Sequence, residues 1–383
     1  MSAGHIRSRG PGAWELKYDL DRDPITGKRR IKYRTVHGKK SDAQRELRDL
    51  LGAVDKGTVA DAGKLTVGGW LEQWLAEAKH GVSPKTFERY GEICRQHLIP
   101  GLGSMALAKL VPAQIQAFYT DALDHGRLNG KGGLAPQTVV HFDRVLSKAL
   151  KRARALRLIA VNPAEDVERP KVEDREMQTL TDEEAAKLLA AASTTRLYVP
   201  IVLTLATGLR RGELLALRWQ DIDLTTGIVQ VVRSLEQTND ELRFKTPKTK
   251  RSRRPIVLPA SVLEVLRSYK VKQLEERLLL GLGKGELVFT RVDGSPIKPD
   301  SFTSWVARVA KRAGTSHIMP VHGLRHTHIT SLLRANVHPK VASERAGHSS
   351  VGFTLDRYSH VIPSLQEDAA QRIDAALRKT LAG

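Results

Sequence analysis

The sequence predicts a multidomain protein, mainly α-helical with small β-sheets. Three observations carry this. Two runs near the N-terminus alternate apolar and polar residues. Residues 66–157 repeat apolar positions at helical spacing between proline and glycine punctuation. The remainder mixes helical stretches with three short β-rich runs. With 383 residues, 41% of them hydrophobic, the chain has room for two or three domains with real cores.

In the first module, WELKYDL (14–20) sets Trp14, Leu16, Tyr18 and Leu20 against Glu15, Lys17 and Asp19. RRIKYRTV (29–36) sets Ile31, Tyr33 and Thr35 against Arg30, Lys32 and Arg34. Both runs predict strands, joined by the turn-like DPITG (23–27). Ser41 and Gln44 have capping-box spacing for a helix of about 42–56, whose Leu47, Leu50 and Leu51 would cover one sheet face. The opposite face is then expected to carry Arg30, Lys32 and Arg34, a row suited to a DNA major groove or, more plainly, a solvated strand face. The module spans 1–58, and TVADAGKLT (58–66) reads as a linker.

A helical module is expected over 64–165. Residues 66–81 form one helix with Trp70, Leu71, Trp74 and Leu75 inward. Ser83-Pro84 caps a second, running to about Gln96 with Phe87, Tyr90 and Ile93 inward, and Pro100, Gly101 and Gly103 are expected to break it. Pro112 and Pro136 open two more helices, to about Leu123 and Arg157, around the loop HGRLNGKGG (125–133). A compact four-helix bundle follows. Lys85, Arg89, Lys148, Lys151, Arg152 and Arg154 are candidate phosphate contacts, though surface Lys and Arg are common in any protein.

The third module is expected over 175–383, after a hinge candidate at 164–179. Thr181 and Glu184 form a capping box. The apolar helix near 197–207 ends at Gly208, a tight turn, and Arg210 follows at the start of another helix, where a guanidinium and backbone N–H groups suit an anion. GIVQVVRS (227–234), LRFKT (242–246) and RPIVLP (254–259) are strand candidates. The last two flank PKTKRSRR (247–254), expected as a basic hairpin. Charge alone does not choose among Lys245, Lys248, Lys250 and Arg251. His322 and Arg325 are three apart, on one side of a helical turn. The apolar positions 365, 369, 373, 377 and 381 form a stripe on a C-terminal helix, which either packs on its own domain or docks elsewhere.

Composition narrows the partner. The balance of 62 Lys+Arg against 42 Asp+Glu, a formal +20, favours a polyanion, with a merely solvated basic surface as the plain alternative. Cys94 is the sole cysteine, so neither an internal disulfide nor a Cys-rich zinc site is expected. No signal-peptide stretch and no run of roughly 18 apolar residues is seen, which predicts no membrane association and fits a reducing cytosol. Spacing of His322, His326 and His328 lacks the acidic neighbours of a metal site. One phenol, Tyr358, accompanied by Arg210, His322, Arg325, His348 and one of the basic residues of 245–251, suits attack on a phosphodiester without a metal.

The stretches ATGLRRGELLAL (206–217), PKTKRSRRPIVLP (247–259), HGLRHTH (322–328), AGHSS (346–350) and TLDRYSH (354–360) resemble, in order, the motifs of phage-type integrases of the tyrosine recombinase family. The resemblance implies an arm-type DNA-binding sheet module, a SAM-like core-binding helical domain and a mixed α/β catalytic domain. It matches Arg210, Lys248, His322, Arg325 and His348 to the catalytic set and Tyr358 to the nucleophile of a 3′-phosphotyrosyl intermediate. Glu213 is expected to support Arg210. Lys250 and Arg251 join the expected DNA contacts. The sequence departs from the pattern at Ala346, where relatives usually carry leucine.

The implied partners are double-stranded DNA with core-type and arm-type sites, three further copies in a homotetramer, a DNA-bending host factor and a directionality factor, in a bacterial cytoplasm and with no cofactor. A type IB topoisomerase, a chromosome-dimer resolvase and a non-enzymatic repressor are the rivals. The sheet module and C-terminal stripe speak against the first. The sheet module disfavours the second, and the full constellation disfavours the third.

Overall fold

The computed structural model describes residues 4–20, 30–55, 65–173, 176–246, 253–348, 350–358 and parts of 370–381. The chain divides into two compact units, Met1–Glu173 and Asp174–Gly383.

The first unit opens with an antiparallel sheet of β1 (Gly4–Gly10), β2 (Ala13–Leu20) and β3 (Arg30–His37), in that order, followed by α1 (Lys40–Asp55). Strand β1 was not anticipated: GHIRSRG has one apolar side chain, Ile6, and becomes a strand by pairing with β2. The α1 cap also differs from expectation. Ser41 lies inside the helix, and the Asp42 carboxylate instead accepts the Lys39 N–H at 3.0 Å. Leu16, Tyr18, Ala43 and Leu47 form a small core, with Ile6, Trp14, Val36, Leu50 and Leu51 around it.

Register overturns the expected basic face. Leu16 pairs with Arg34, Tyr18 with Lys32 and Leu20 with Arg30. Residues opposite each other in an antiparallel pair share a face. Lys32 and Arg34 therefore lie on the face covered by α1, and Arg34 bends to the helix to pair with Glu46 at 2.8 Å. The uncovered face carries His5, Arg7, Lys17 and the 61%-exposed Tyr33, with the Lys17 ammonium 6.0 Å from the Tyr33 ring centroid.

The helical region has α2 (Val67–Ala78), α3 (Pro84–Ile93), α4 (Ile99–Leu102), α5 (Pro112–His125) and α6 (Pro136–Ala155). Ser83 caps α3. Pro100 does not end this helix: a π-helical turn, Cys94–Leu98, joins α3 to α4. Proline lacks an N–H and crowds the carbonyl four residues back, and a widened turn before it accommodates both defects. Trp70, Leu71, Leu98, Tyr119, Phe142 and Leu146 are among the buried side chains of this core. Its polar interior is satisfied, since Tyr119 donates to Asp143 at 3.2 Å and Arg169 to the other Asp143 oxygen at 2.6 Å.

The second unit contains α7 (Asp182–Ala192), α8 (Tyr198–Thr207), α9 (Arg211–Leu215), β4 (Ile222–Asp223), β5 (Ile228–Val231), β6 (Ser234–Gln237), β7 (Leu242–Lys245) and β8 (Arg254–Val257). Then come α10 (Ala260–Leu279), α11 (Pro299–Arg312), α12 (His322–Arg334), α13 (Pro339–Ala346) and α14 (Val351–Tyr358). Thr181 and Glu184 close the expected capping box on α7. The run 227–234 is two strands, because β5 pairs with β8 whereas β6 pairs with β7. Strands β7 and β8 thus belong to different sheets and do not form a hairpin with each other. The main core gathers Leu188, Ile201, Leu203, Leu214, Val229, Ile256, Phe302 and Val306. Of the C-terminal stripe, Ile373, Leu377 and Leu381 are helical and exposed, while positions 365 and 369 lie outside the described residues.

Candidate active site

Two glycine turns frame the site. Gly208 ends α8 with φ +64°, and a Cβ there would meet the His328 ring at 2.7 Å. Gly347 ends α13 with φ +67°, and its Cβ would lie 2.8 Å from Arg254. Both turns need the left-handed region and the missing side chain.

The carbonyls of these turns fix the arginines. Arg325, on the first turn of α12 and only 4% exposed, donates to Gly208 O at 2.5 Å and to Ala346 O at 2.7 Å. Arg210 donates to Gly347 O at 2.7 Å and to Glu213 at 2.9 Å. A guanidinium has five N–H donors, so both forks keep donors for an anion. Burial, and then the neighbouring Arg210, pull the Arg325 pKa down to about 9, which leaves it charged at neutral pH. Arg210's own N–H is bonded to Glu213 at 3.0 Å, so the guanidinium, not this N–H, is what the α9 start offers a ligand.

Glu213 stands behind the arginines, as expected, but its main partner was not foreseen. Arg254, on β8, holds both Glu213 oxygens at 3.1 and 2.9 Å and donates to Arg345 O at 2.6 Å. Both side chains are nearly inaccessible. Burial alone would raise the Glu213 pKa, but the hydrogen bond and charge of Arg254, then Arg210, outweigh it and the carboxyl is held below its usual range.

Tyr358 ends α14 and is 1% exposed, packed with Ile329, Leu333, Ala342 and Ala346. The small Ala346 is fully buried here and keeps its carbonyl on Arg325. Burial pushes the phenol pKa up to about 12, against the pull of Arg325 and Arg357. The Tyr358 hydroxyl is hydrogen-bonded to Nδ1 of His326, not to His322. His322 stands exposed one turn before, its ring centroid 6.2 Å from that of His326 and edge-on to it. His348 is anchored through Nδ1 to Thr354 Oγ1 at 2.7 Å, and burial, then Arg325, hold its pKa down at about 4. Arg210, Arg325, His348 and Tyr358 thus gather around the first turns of α12. Lys248, Lys250 and Arg251 lie outside the described residues.

Residues 178–364 match the phage integrase family, and residues 66–123 match the phage integrase N-terminal SAM-like domain. The chain belongs to the phage integrase family of tyrosine recombinases. Among similar integrases and recombinases, a XerC-like tyrosine recombinase of Caldanaerobacter subterraneus subsp. tengcongensis is 29% identical over 359 residues, 88% of this chain and 89% of that one. The ICEBs1 integrase of Bacillus subtilis is 25% identical, over 96% of this chain and 98% of its own. The fold is shared with the Tn1549 transposon integrase in complex with a circular intermediate DNA, at TM-score 0.67 and 22% identity over 81% of this chain and all of that one. It is also shared with lambda integrase in a tetramer bound to a Holliday junction, at TM-score 0.58 and 22% identity over 90% of this chain and 95% of that one.

Elsewhere in this integrase the expected DNA contacts are mostly engaged. Lys85 pairs with Glu88, Arg89 with Glu92, Arg152 with Glu77 and Arg154 with Glu165, while Lys148 donates to the Tyr90 hydroxyl at 3.0 Å. Three residues of the site were missed in sequence: Arg254, His326 and Thr354. His326 carried a signal, since it lies four residues after His322 and so on the same helix face. Arg254 sits in a basic run where nothing in sequence separates it from its neighbours. Among the described residues, no three His, Cys, Asp or Glu side chains gather as a metal site, and no helix is long and apolar enough to cross a membrane.

Proposed function

We propose that this integrase cuts and rejoins double-stranded DNA with Tyr358 as nucleophile. The Tyr358 oxygen attacks the scissile phosphorus, the bond to the 5′-oxygen breaks, and a 3′-phosphotyrosyl link with a free 5′-hydroxyl results. The link keeps the phosphodiester energy, so strand transfer needs no ATP. Arg210, Arg325 and His348 take the non-bridging oxygens, whose negative charge grows in the pentacoordinate state. Lys248 protonates the leaving 5′-oxygen, and His322, exposed at the mouth of α12, receives the phenol proton as the site closes on DNA. Glu213 and Arg254 position Arg210 from behind.

The observation that carries the reading is the convergence of Tyr358 with two carbonyl-pinned arginines and His348 on one end of α12. The test is recovery of DNA covalently bound to the protein from cells. Tyr358→Phe should eliminate the covalent complex while DNA binding by gel shift persists. A covalent complex that still forms on the Phe variant would falsify the assignment.

The modules before the site choose the DNA. Residues 64–165 act as the core-binding domain and residues 1–58 as the arm-binding module. For the arm module, the uncovered sheet face with His5, Arg7, Lys17 and Tyr33 replaces Arg30, Lys32 and Arg34 as the groove-facing surface. The exposed Ile373, Leu377 and Leu381 dock on a neighbouring copy in a homotetramer. A DNA-bending host factor and a directionality factor complete the assembly, which works in a bacterial cytoplasm to integrate or excise a mobile element.

A further inference from the structure

We propose that His326 is a positioning residue that latches the nucleophile in the DNA-free protein, with its Nδ1 accepting the Tyr358 hydroxyl proton as a hydrogen bond. The inference rests on Tyr358 being the nucleophile.

Three observations support it. The contact joins the one reactive oxygen to a side chain for which the proposed reaction has no other use. The rings of His326 and Tyr358 meet at 5.7 Å between centroids, a tilted packing that fixes the phenol against α12 one residue beyond Arg325. The rest of the Tyr358 ring packs on Ile329, Leu333, Ala342 and Ala346, and among the described residues His326 is the group hydrogen-bonded to its hydroxyl.

The direction of the bond follows from the charges around it. His326 faces His322 and Arg325 on α12, Arg357 on α14 and His348 on the turn before α14. Burial first, then His322, Arg325, Arg357 and His348, hold its pKa down at about 3, so the ring is neutral at working pH. A neutral ring with its proton on Nε2 leaves a lone pair on Nδ1, and a phenol is the better donor of the two. Such a weak base holds the phenol proton without removing it. The nucleophile is therefore fixed in place and kept protonated until bound DNA rearranges the site. His322, exposed and not in contact with the phenol, remains the group that takes the proton during attack.

The test reads the free protein and needs no attachment site. N-acetylimidazole acetylates accessible phenols, and peptide mass spectrometry measures the rate at Tyr358 alone. Tyr358 should react at least about tenfold faster in His326→Leu, which fills the space but accepts nothing. It should return to near the wild-type rate in His326→Asn, whose amide oxygen can occupy the Nδ1 position. Thermal melting of each variant separates release of the latch from loss of fold. Equal rates in wild type and His326→Leu would overturn the latch, as would an Asn variant as reactive as Leu in a folded protein. The nucleophile reading fails separately, through covalent DNA on Tyr358→Phe, whatever the acetylation rates show.

Discussion

Glu213 is the residue on which the site's electrostatics turn. It is a carboxylate buried to 5% exposure between Arg254 and Arg210. A buried pair adds little net stability relative to an apolar pair, but breaking it strands a charge. Arg254→Met and Glu213→Leu should each cost about 3–5 kcal/mol, whereas the double variant should cost clearly less than their sum. Urea denaturation of the four proteins gives the cycle, and additive losses would refute the pairing. Cleavage should be lost in Glu213→Leu and in the double variant alike, because Arg210 loses its support on Glu213 in both. At this scale the site was half legible. Arg210, His322, Arg325, His348 and Tyr358 each stand in a motif whose local shape the fold reproduces. Arg254 was hidden because its importance comes from burial, which a basic run does not advertise. His326 shows its helix face in its spacing from His322, but its contact with Tyr358 depends on how α14 packs against α12.

The N-terminal sheet shows what an element can and cannot say in sequence. Alternation divided each strand into two faces correctly, yet it does not say which face of β3 lies beside which face of β2. That is set by register, and the observed pairing puts Lys32 and Arg34 on the side of α1. Because β3 is an edge strand, such long side chains reach round the helix and stay solvated. Arg7→Ala with Lys17→Ala should weaken arm-site binding at least about tenfold and reduce its salt dependence, since each lost phosphate contact removes about one unit of salt slope. Arg34→Ala should weaken it far less. A filter-binding titration at several salt concentrations decides, and a larger loss from Arg34 would restore the other face. The helix through Pro100 makes the same point for α-structure. In sequence Pro100 predicts a break, but a preceding π turn absorbs it.

At the scale of the whole molecule, two units with separate cores share a strongly basic chain, and acid should not affect them equally. The second unit encloses His326, His328 and His348, whose pKa values burial first, and neighbouring cations after it, hold down at about 3, 4 and 4. In the unfolded chain such histidines titrate near 6.5, at about the usual value. Between those limits the unfolded state binds protons that the folded state refuses. Stability from these groups is therefore whole above about pH 6.5 and falls as the pH drops toward 4, by up to about 1.4 kcal/mol per pH unit for each histidine. Glu213 works in a lower window, because its depressed pKa gives stability that is lost only as pH falls below the ordinary carboxylate range. In the first unit, His97 and His141 are lowered too, chiefly by burial, but these two are not driven as far. Calorimetry from pH 7.5 to 4.5 should resolve two transitions, with the one belonging to residues 174–383 moving down more steeply. Replacing His328, whose Nδ1 bonds to Leu205 O at 2.8 Å, by Asn should reduce that steepness by about one proton. Parallel shifts of both transitions, or an unchanged slope in the His328→Asn protein, would contradict this account of where the acid sensitivity resides.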